Sequence, residues 1–194
     1  MREIIYKVRL KYLYLIMILV IIVYLLLLST GRTAYWKDGM SYIANETNQY
    51  RVSHEVLNED YEFGINLDQL NESIGQIIYD DGFHQIYISH IDQDNHSYRI
   101  FFRAKGKHSF KGASLVSGVK HGYESNKGFS INMSAEMFVE YEGEVKKAHI
   151  MGVSGLHYKN GDDFGFYIMP IDDYQGGNVK IRLTNLCKNI WSKK

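Results

Sequence analysis

The residues that could do chemistry in this chain are few, and each also fits a structural role. Gly152-Val153-Ser154-Gly155 places its second glycine one position short of the G-x-S-x-G turn that presents a serine nucleophile, and no strand-to-helix switch follows it. A small-residue bend in a strand is the expected reading. Asp92-Gln93-Asp94-Asn95-His96 starts like a calcium loop. Ser97 stands where that loop needs glycine, and Arg103 where it needs a glutamate. Asp and Asn are also common turn formers. His84, His90 and His96 lie on or beside one hairpin, and even spacing puts His84 and His90 on one face. Three histidines can hold zinc with an open position, but no acidic residue is spaced to orient them. The sequence therefore leads us to expect no catalytic residues, no metal ligands and no cofactor, and a chain that is not an enzyme.

Its charged clusters suit binding better. Arg99, Arg103, Lys105, Lys107 and Lys111 surround Phe101, Phe102, His108 and Phe110, the densest basic stretch beyond the N-terminal segment. Such a stretch could meet lipid headgroups, an acidic polymer or an acidic partner; a solvated strand face would look the same. The opposite sign occurs at Asp162-Asp163 and Asp172-Asp173, expected in loops at one end of the domain as a second site for a partner or cation.

The elements that must position these residues show a period of two. Val179, Ile181 and Leu183 alternate with Lys180, Arg182 and Thr184, a strand with one dry and one wet face. Tyr98, Ile100 and Phe102 alternate with Arg99, Phe101 and Arg103, and Ile86 and Ile88 with Gln85, Tyr87 and Ser89. Asn160-Gly161 and Glu142-Gly143 carry hairpin chemistry, because both central residues of such a turn take positive φ. Residues 175–178 are expected to join 164–171 to 179–184, and 92–96 to join 83–91 to 97–103. Short connections enforce antiparallel pairing, and so large a sheet must fold on itself to bury its apolar faces. The expected fold is all-β: an antiparallel β-sandwich of about eight to ten strands over residues 61–194. Pro170 should mark an edge or bulge. Only 67–74 and 186–191 are candidates for short helices.

Ahead of this domain, residues 12–28 run without a charge, broken only by tyrosines. As a helix they cover about 25 Å, enough to span a thin bilayer. Tyr12, Tyr14, Tyr35 and Trp36 stand at or beyond the ends, where amphipathic rings favour the headgroup level. Arg2, Lys7, Arg9 and Lys11 precede the run against Glu3 alone, which predicts a cytoplasmic N-terminus and an outward-facing domain. The expected layout is a basic tail at 1–11, a signal anchor at 12–29 and a tether at 30–60 that lends one strand around 50–57. A cleaved signal peptide is the rival, with a longer apolar run than usual and poor cleavage sites.

Composition narrows the classes further. The chain of 194 residues carries 22 basic and 22 acidic side chains. Four of the former and one of the latter precede the apolar run, leaving 18 against 21 outside it, which argues against nucleic acid as a partner. One cysteine, Cys187, excludes an internal disulfide framework. The Asn-, Ile-, Lys- and Tyr-rich composition resembles that of AT-rich bacterial genomes, so the outer side would be a periplasm or cell surface.

Ser73-x-Gly75-Gln76, Tyr98-x-Ile100-Phe101-Phe102 and residues 177–184, Gly-Asn-Val-Lys-Ile-Arg-Leu-Thr, together resemble the layout of uncharacterised β-sandwich domains on bacterial envelope lipoproteins. The resemblance spans roughly 61–186 and implies a sandwich at the envelope; it carries no activity. The lipid-bearing cysteine of such proteins is absent, so a helix would replace it as anchor. The function this predicts is a membrane-anchored, extracytoplasmic protein-interaction module of the bacterial envelope, held in the membrane through 12–28 and meeting a protein partner outside. An immunity or exclusion protein that neutralises a toxin at the envelope, and a carbohydrate-binding protein or hydrolase, are the competing classes.

Overall fold

The computed structural model describes residues 2–94, 97–123, 129–156, 159–169 and 176–194, with side chains from residue 11 onward. His96, Pro170, Asp172 and Asp173 lie outside the described residues. The chain divides into two compact units, Met1–Asp38 and Gly39–Lys194.

The first unit is helical. Helix α1, Arg2–Ser29, takes in the basic tail as well as the apolar run. Within it Lys11–Ser29 is long and apolar enough to cross a membrane, and its side chains are exposed all round. The last turn closes on itself: the Ser29 and Thr30 hydroxyls donate to the Leu26 carbonyl at 2.9 and 3.1 Å. Gly31 follows with φ 68°, a left-handed stop, before α2, Arg32–Asp38.

The second unit opens with α3, Met40–Asn45, whose Met40, Ile43 and Ala44 are buried. Three main antiparallel sheets follow. One orders β1 (Tyr50–Val56), β15 (Cys187–Lys193), β7 (Gly112–Ser117) and β6 (Lys107–Ser109). A second orders β11 (Glu144–Lys147), β10 (Glu136–Tyr141), β14 (Asn178–Thr184) and β2 (Tyr61–Asn66). The third orders β12 (His149–Val153), β13 (Gly161–Ile168), β5 (Tyr98–Lys105), β4 (Gln85–Gln93) and β3 (Ile77–Asp80). A separate ribbon pairs β8 (Val119–Tyr123) with β9 (Phe129–Met133).

The dry rows of the second and third sheets face each other. Phe63 on β2 meets Phe102 on β5 edge-on at 6.0 Å, and Phe102 stacks on Phe164 of β13 at 5.1 Å. Around them Ile100, Ala104, Val139, Phe166, Val179, Ile181 and Leu183 are buried, in the phase their alternation predicts. Strand β7 packs against β4 and β5 and carries the first sheet onto this core.

The architecture is thus all-β and antiparallel, with fifteen strands among the described residues rather than eight to ten. Part of the excess comes from short strands such as β3 and β6. Within the stretch 30–60 the strand expected around 50–57 forms as β1, which pairs along its whole length with β15, Tyr50 opposite Lys193 through Val56 opposite Cys187, and ahead of it α3 buries Met40, Ile43 and Ala44. The tail expected as a helix is β15. Its buried row is Cys187, Asn189 and Trp191, and a polar residue inside that row disguises the period of two. At 67–74 a 3-10 helix, Leu70–Ser73, does form.

The Glu142-Gly143 hairpin forms, with φ of 50° and 85° at its two turn residues. Asn160-Gly161 is not a two-residue turn. Gly161 starts β13 opposite Lys105, where a Cβ would lie 1.8 Å from the Ala104 carbonyl oxygen. Its glycine serves close strand approach, not positive φ. Residues 164–168 and 179–184 do not form a hairpin either, because β13 and β14 belong to different sheets.

Candidate functional site

The basic stretch is largely engaged by the domain itself. Arg99 and Arg103 project from the wetter side of β5. Arg99 Nε donates to Asp92, and Arg103 makes a forked contact with Asp163 at 2.9 and 3.2 Å. Lys105 lies 4.6 Å from the Tyr87 ring centre and Lys107 3.9 Å from that of Phe83. Lys111 follows β6, its backbone N–H bonded to Ser109 Oγ at 3.2 Å. Asp162 and Asp163 sit in β13 rather than in a loop. Asp163 is the partner of Arg103, while Asp162 is fully buried. The structure therefore splits the pair that adjacency in sequence joined.

The other candidates are tied into the fold. Ser154 Oγ donates to the Asp163 carbonyl at 3.2 Å and accepts the Asp163 N–H at 3.0 Å, beside an irregularity between Ile150 and Gly152: the expected small-residue bend. In the turn after β4, Asp94 Oδ1 accepts the backbone N–H and hydroxyl of Ser97 at 2.8 and 3.1 Å. Among the described residues no group of three His, Cys, Asp or Glu side chains could hold a metal.

His84 and His90 do not share a face. A bulge between Ile88 and His90 shifts the strand phase, so His84 is buried while the His90 side chain is 57% exposed. Each histidine does have the acidic neighbour that spacing alone did not suggest. His90 Nε2 lies 3.3 Å from Asp92. His84 Nδ1 bonds Asp81 at 2.7 Å and its Nε2 bonds Ser114 Oγ at 2.8 Å, locking β4 to β7.

Burial pushes the Asp81 carboxyl up, but hydrogen bonds from the His84 ring, the Phe83 and His84 N–H groups and the Tyr79 hydroxyl outweigh it. Together they hold Asp81 well below the usual carboxylate range. A depressed carboxylate contributes stability above its unfolded value, and that contribution disappears as pH falls through the folded value. Asp81→Asn is therefore expected to lower stability by about 1 kcal/mol at neutral pH, and the gap should shrink below about pH 4. Urea midpoints of the two proteins at pH 7 and pH 3 test this; an equal gap at both pH values would refute it.

A second, deeper network centres on His121 of β8. Its Nε2 meets Asp162 Oδ2 at 2.5 Å, with both residues fully buried. Ser117 Oγ donates to Asp162 Oδ1 at 2.7 Å and accepts the Val119 N–H at 3.1 Å. Asn189 closes the network, accepting the His121 N–H at 2.9 Å and donating to the Val119 carbonyl at 2.8 Å. The order is Ser–Asp–His, with the carboxylate in the middle. A nucleophilic triad needs the histidine in the middle, beside the serine. This arrangement joins β7, β8, β13 and β15 and presents no nucleophile to solvent.

Over this network lies an open groove of about 560 Å³, lined by residues of β1, β8, β9 and the chain around Thr47 and Lys194. Arg51, Lys120 and Lys194 supply its charge and His54 an imidazole; Thr47, Tyr50, Tyr123 and Ser130 supply hydroxyls. His54 Nε2–H donates to the His121 carbonyl, linking the groove wall to the buried pair. Tyr123 donates to the Ala44 carbonyl at 2.5 Å and Tyr50 to the Phe110 carbonyl at 3.1 Å, which fixes both rings. Sequence reasoning missed this site, since its cations are scattered from residue 51 to residue 194.

No protein-family model matches this chain, nor does any curated protein or solved structure.

Proposed function

We propose that this chain is a single-pass, membrane-anchored binding module of a bacterial envelope, with its N-terminus in the cytoplasm and its β domain outside, where it meets its partner. The observation that carries the reading is the bare apolar helix: Lys11–Ser29 has no protein packed around it, while the β unit builds its core without it. A helix apolar all round needs lipid or a protein interior to cover it. The four cations before the uncharged run at 12–28 favour the inside for that end. Binding is favoured over catalysis because the histidine–carboxylate pairs at His84–Asp81 and His121–Asp162 are spent on fixing strands.

Paired C-terminal reporters test the topology. A phosphatase that folds only outside the cytoplasm should be active after Lys194, and a fluorescent protein that matures only inside should stay dark. The reverse pattern would overturn the orientation. A mature N-terminus near Arg32 or Tyr35, found by mass spectrometry, would replace the anchor with a cleaved leader.

A further inference from the structure

We infer that the groove between β1 and the β8–β9 ribbon binds the phosphate group of a small anionic ligand. The inference deepens the binding reading above and is independent of membrane orientation. Several cations of the domain meet carboxylates, Arg99 with Asp92, Arg103 with Asp163, Lys147 with Glu136, Lys180 with Glu62 and Arg182 with Asp60, and Lys105 and Lys107 lie over aromatic rings. Arg51, Lys120 and Lys194 do neither, and they line one groove. Among the described residues no carboxylate forms an ion pair with any of them, and no Asp or Glu side chain lines the groove. They converge in a region whose overall balance is acidic, 21 carboxylates against 18 cations beyond the apolar run. A cleft whose described charged side chains share one sign focuses its field on whatever enters.

The donors left for a ligand suit a phosphate. Arg51 uses Nε on Ser192 Oγ at 3.2 Å, leaving the two amino groups of its fork. A guanidinium fork matches the spacing of phosphate oxygens. Lys194 spends one proton on the Thr47 carbonyl at 2.8 Å and retains two. Lys120 is exposed at the opposite wall, next to the buried His121. Three cationic side chains are more than a single carboxylate needs and match a dianion. The groove is larger than one phosphate group, and Val52 with the rings of Tyr50 and Tyr123 offers an apolar wall for the organic part of the ligand. A soluble phosphomonoester and a phospholipid headgroup share this chemistry.

Titration calorimetry on the full chain in an uncharged detergent separates the outcomes. The probes are inorganic pyrophosphate, glycerol 3-phosphate and short-chain phosphatidic acid. At least one should bind with a Kd of about 1 mM or tighter, weakening as salt is added. Arg51→Gln and Lys120→Gln should each weaken that probe about tenfold, the loss of one charge-assisted contact, while Lys146→Gln on the far strand β11 leaves it unchanged. All three side chains are exposed or nearly so, and unchanged thermal unfolding confirms intact folds. Tighter binding of glycerol 3-phosphate than of phosphatidic acid assigns a soluble ligand; the reverse assigns a headgroup. No binding of any probe, or equal binding by the Arg51, Lys120 and Lys146 variants, overturns the inference and leaves the topology result untouched.

Discussion

Ile181→Asp is expected to cost the β domain about 4–5 kcal/mol, a large share of the roughly 5–15 kcal/mol typical of a folded domain. Ile181 is fully buried in β14, opposite Val139 of β10 and Phe63 of β2. A carboxylate there would have no partner, so it must either hold a charge in an apolar core or take up a proton. The adjacent Arg182→Asp is expected to cost about 1 kcal/mol or less. Arg182 is half-buried, 3.2 Å from Asp60, with its guanidinium 5.0 Å from the Phe138 ring centre. Urea unfolding of the full chain in uncharged detergent, followed by circular dichroism in the strand region, measures both. Equal losses would reject the assignment of which face of β14 is dry.

That phase was legible because β14 faces one core. Val179, Ile181 and Leu183 all point into one sheet-to-sheet contact, so alternation in sequence maps directly onto burial. The same holds for Tyr98, Ile100 and Phe102. Pattern fails where an interior position takes a polar side chain. Asn189 in β15 stands between Cys187 and Trp191 and is buried because it bonds backbone groups of β8, so the strand looked irregular and was expected as a helix. Asp162 misleads in the same way. An Asp-Asp pair after Asn-Gly reads as a solvated turn, yet one member is in the core and the other on an ion pair.

Local phase shifts were equally hidden. One extra residue near Ser89 turns His84 and His90 to opposite environments, and nothing in 84–93 marks where it sits. Long-range convergence was the least legible. Arg51, Lys120 and Lys194 meet only because β1 pairs with β15 and the β8–β9 ribbon lies across them. Charge density along the chain points instead to Arg99–Lys111, where Arg99 and Arg103 meet carboxylates of the neighbouring strands and Lys105 and Lys107 lie over aromatic rings. Clustering along one strand measures local charge; a groove depends on which side chains strand pairing brings together.

The second large effect is expected at the buried pair. Removing His121 with His121→Phe should cost about 3–5 kcal/mol, because it leaves Asp162 buried with Ser117 as its one side-chain partner. Replacing both, as His121→Phe with Asp162→Leu, should recover much of the loss, since an apolar pair leaves no stranded carboxyl. The pH dependence distinguishes this from simple loss of packing. Burial already pushes the Asp162 carboxyl above its ordinary value, with Asp163 adding to it, while His121 and Ser117 pull it down. Without His121 the folded value rises further. A carboxyl raised in the folded state binds its proton more tightly there than when unfolded, so stability falls as pH climbs from the unfolded value, about 4, through the folded one. The His121→Phe deficit should therefore be larger at pH 8 than at pH 5, and the double variant should lose that slope. Urea unfolding of the wild-type, single and double variants at the two pH values completes the cycle. A deficit independent of pH, or a double variant no more stable than His121→Phe, would show that the pair contributes shape alone and that the Asp162 charge is not what His121 is there to hold.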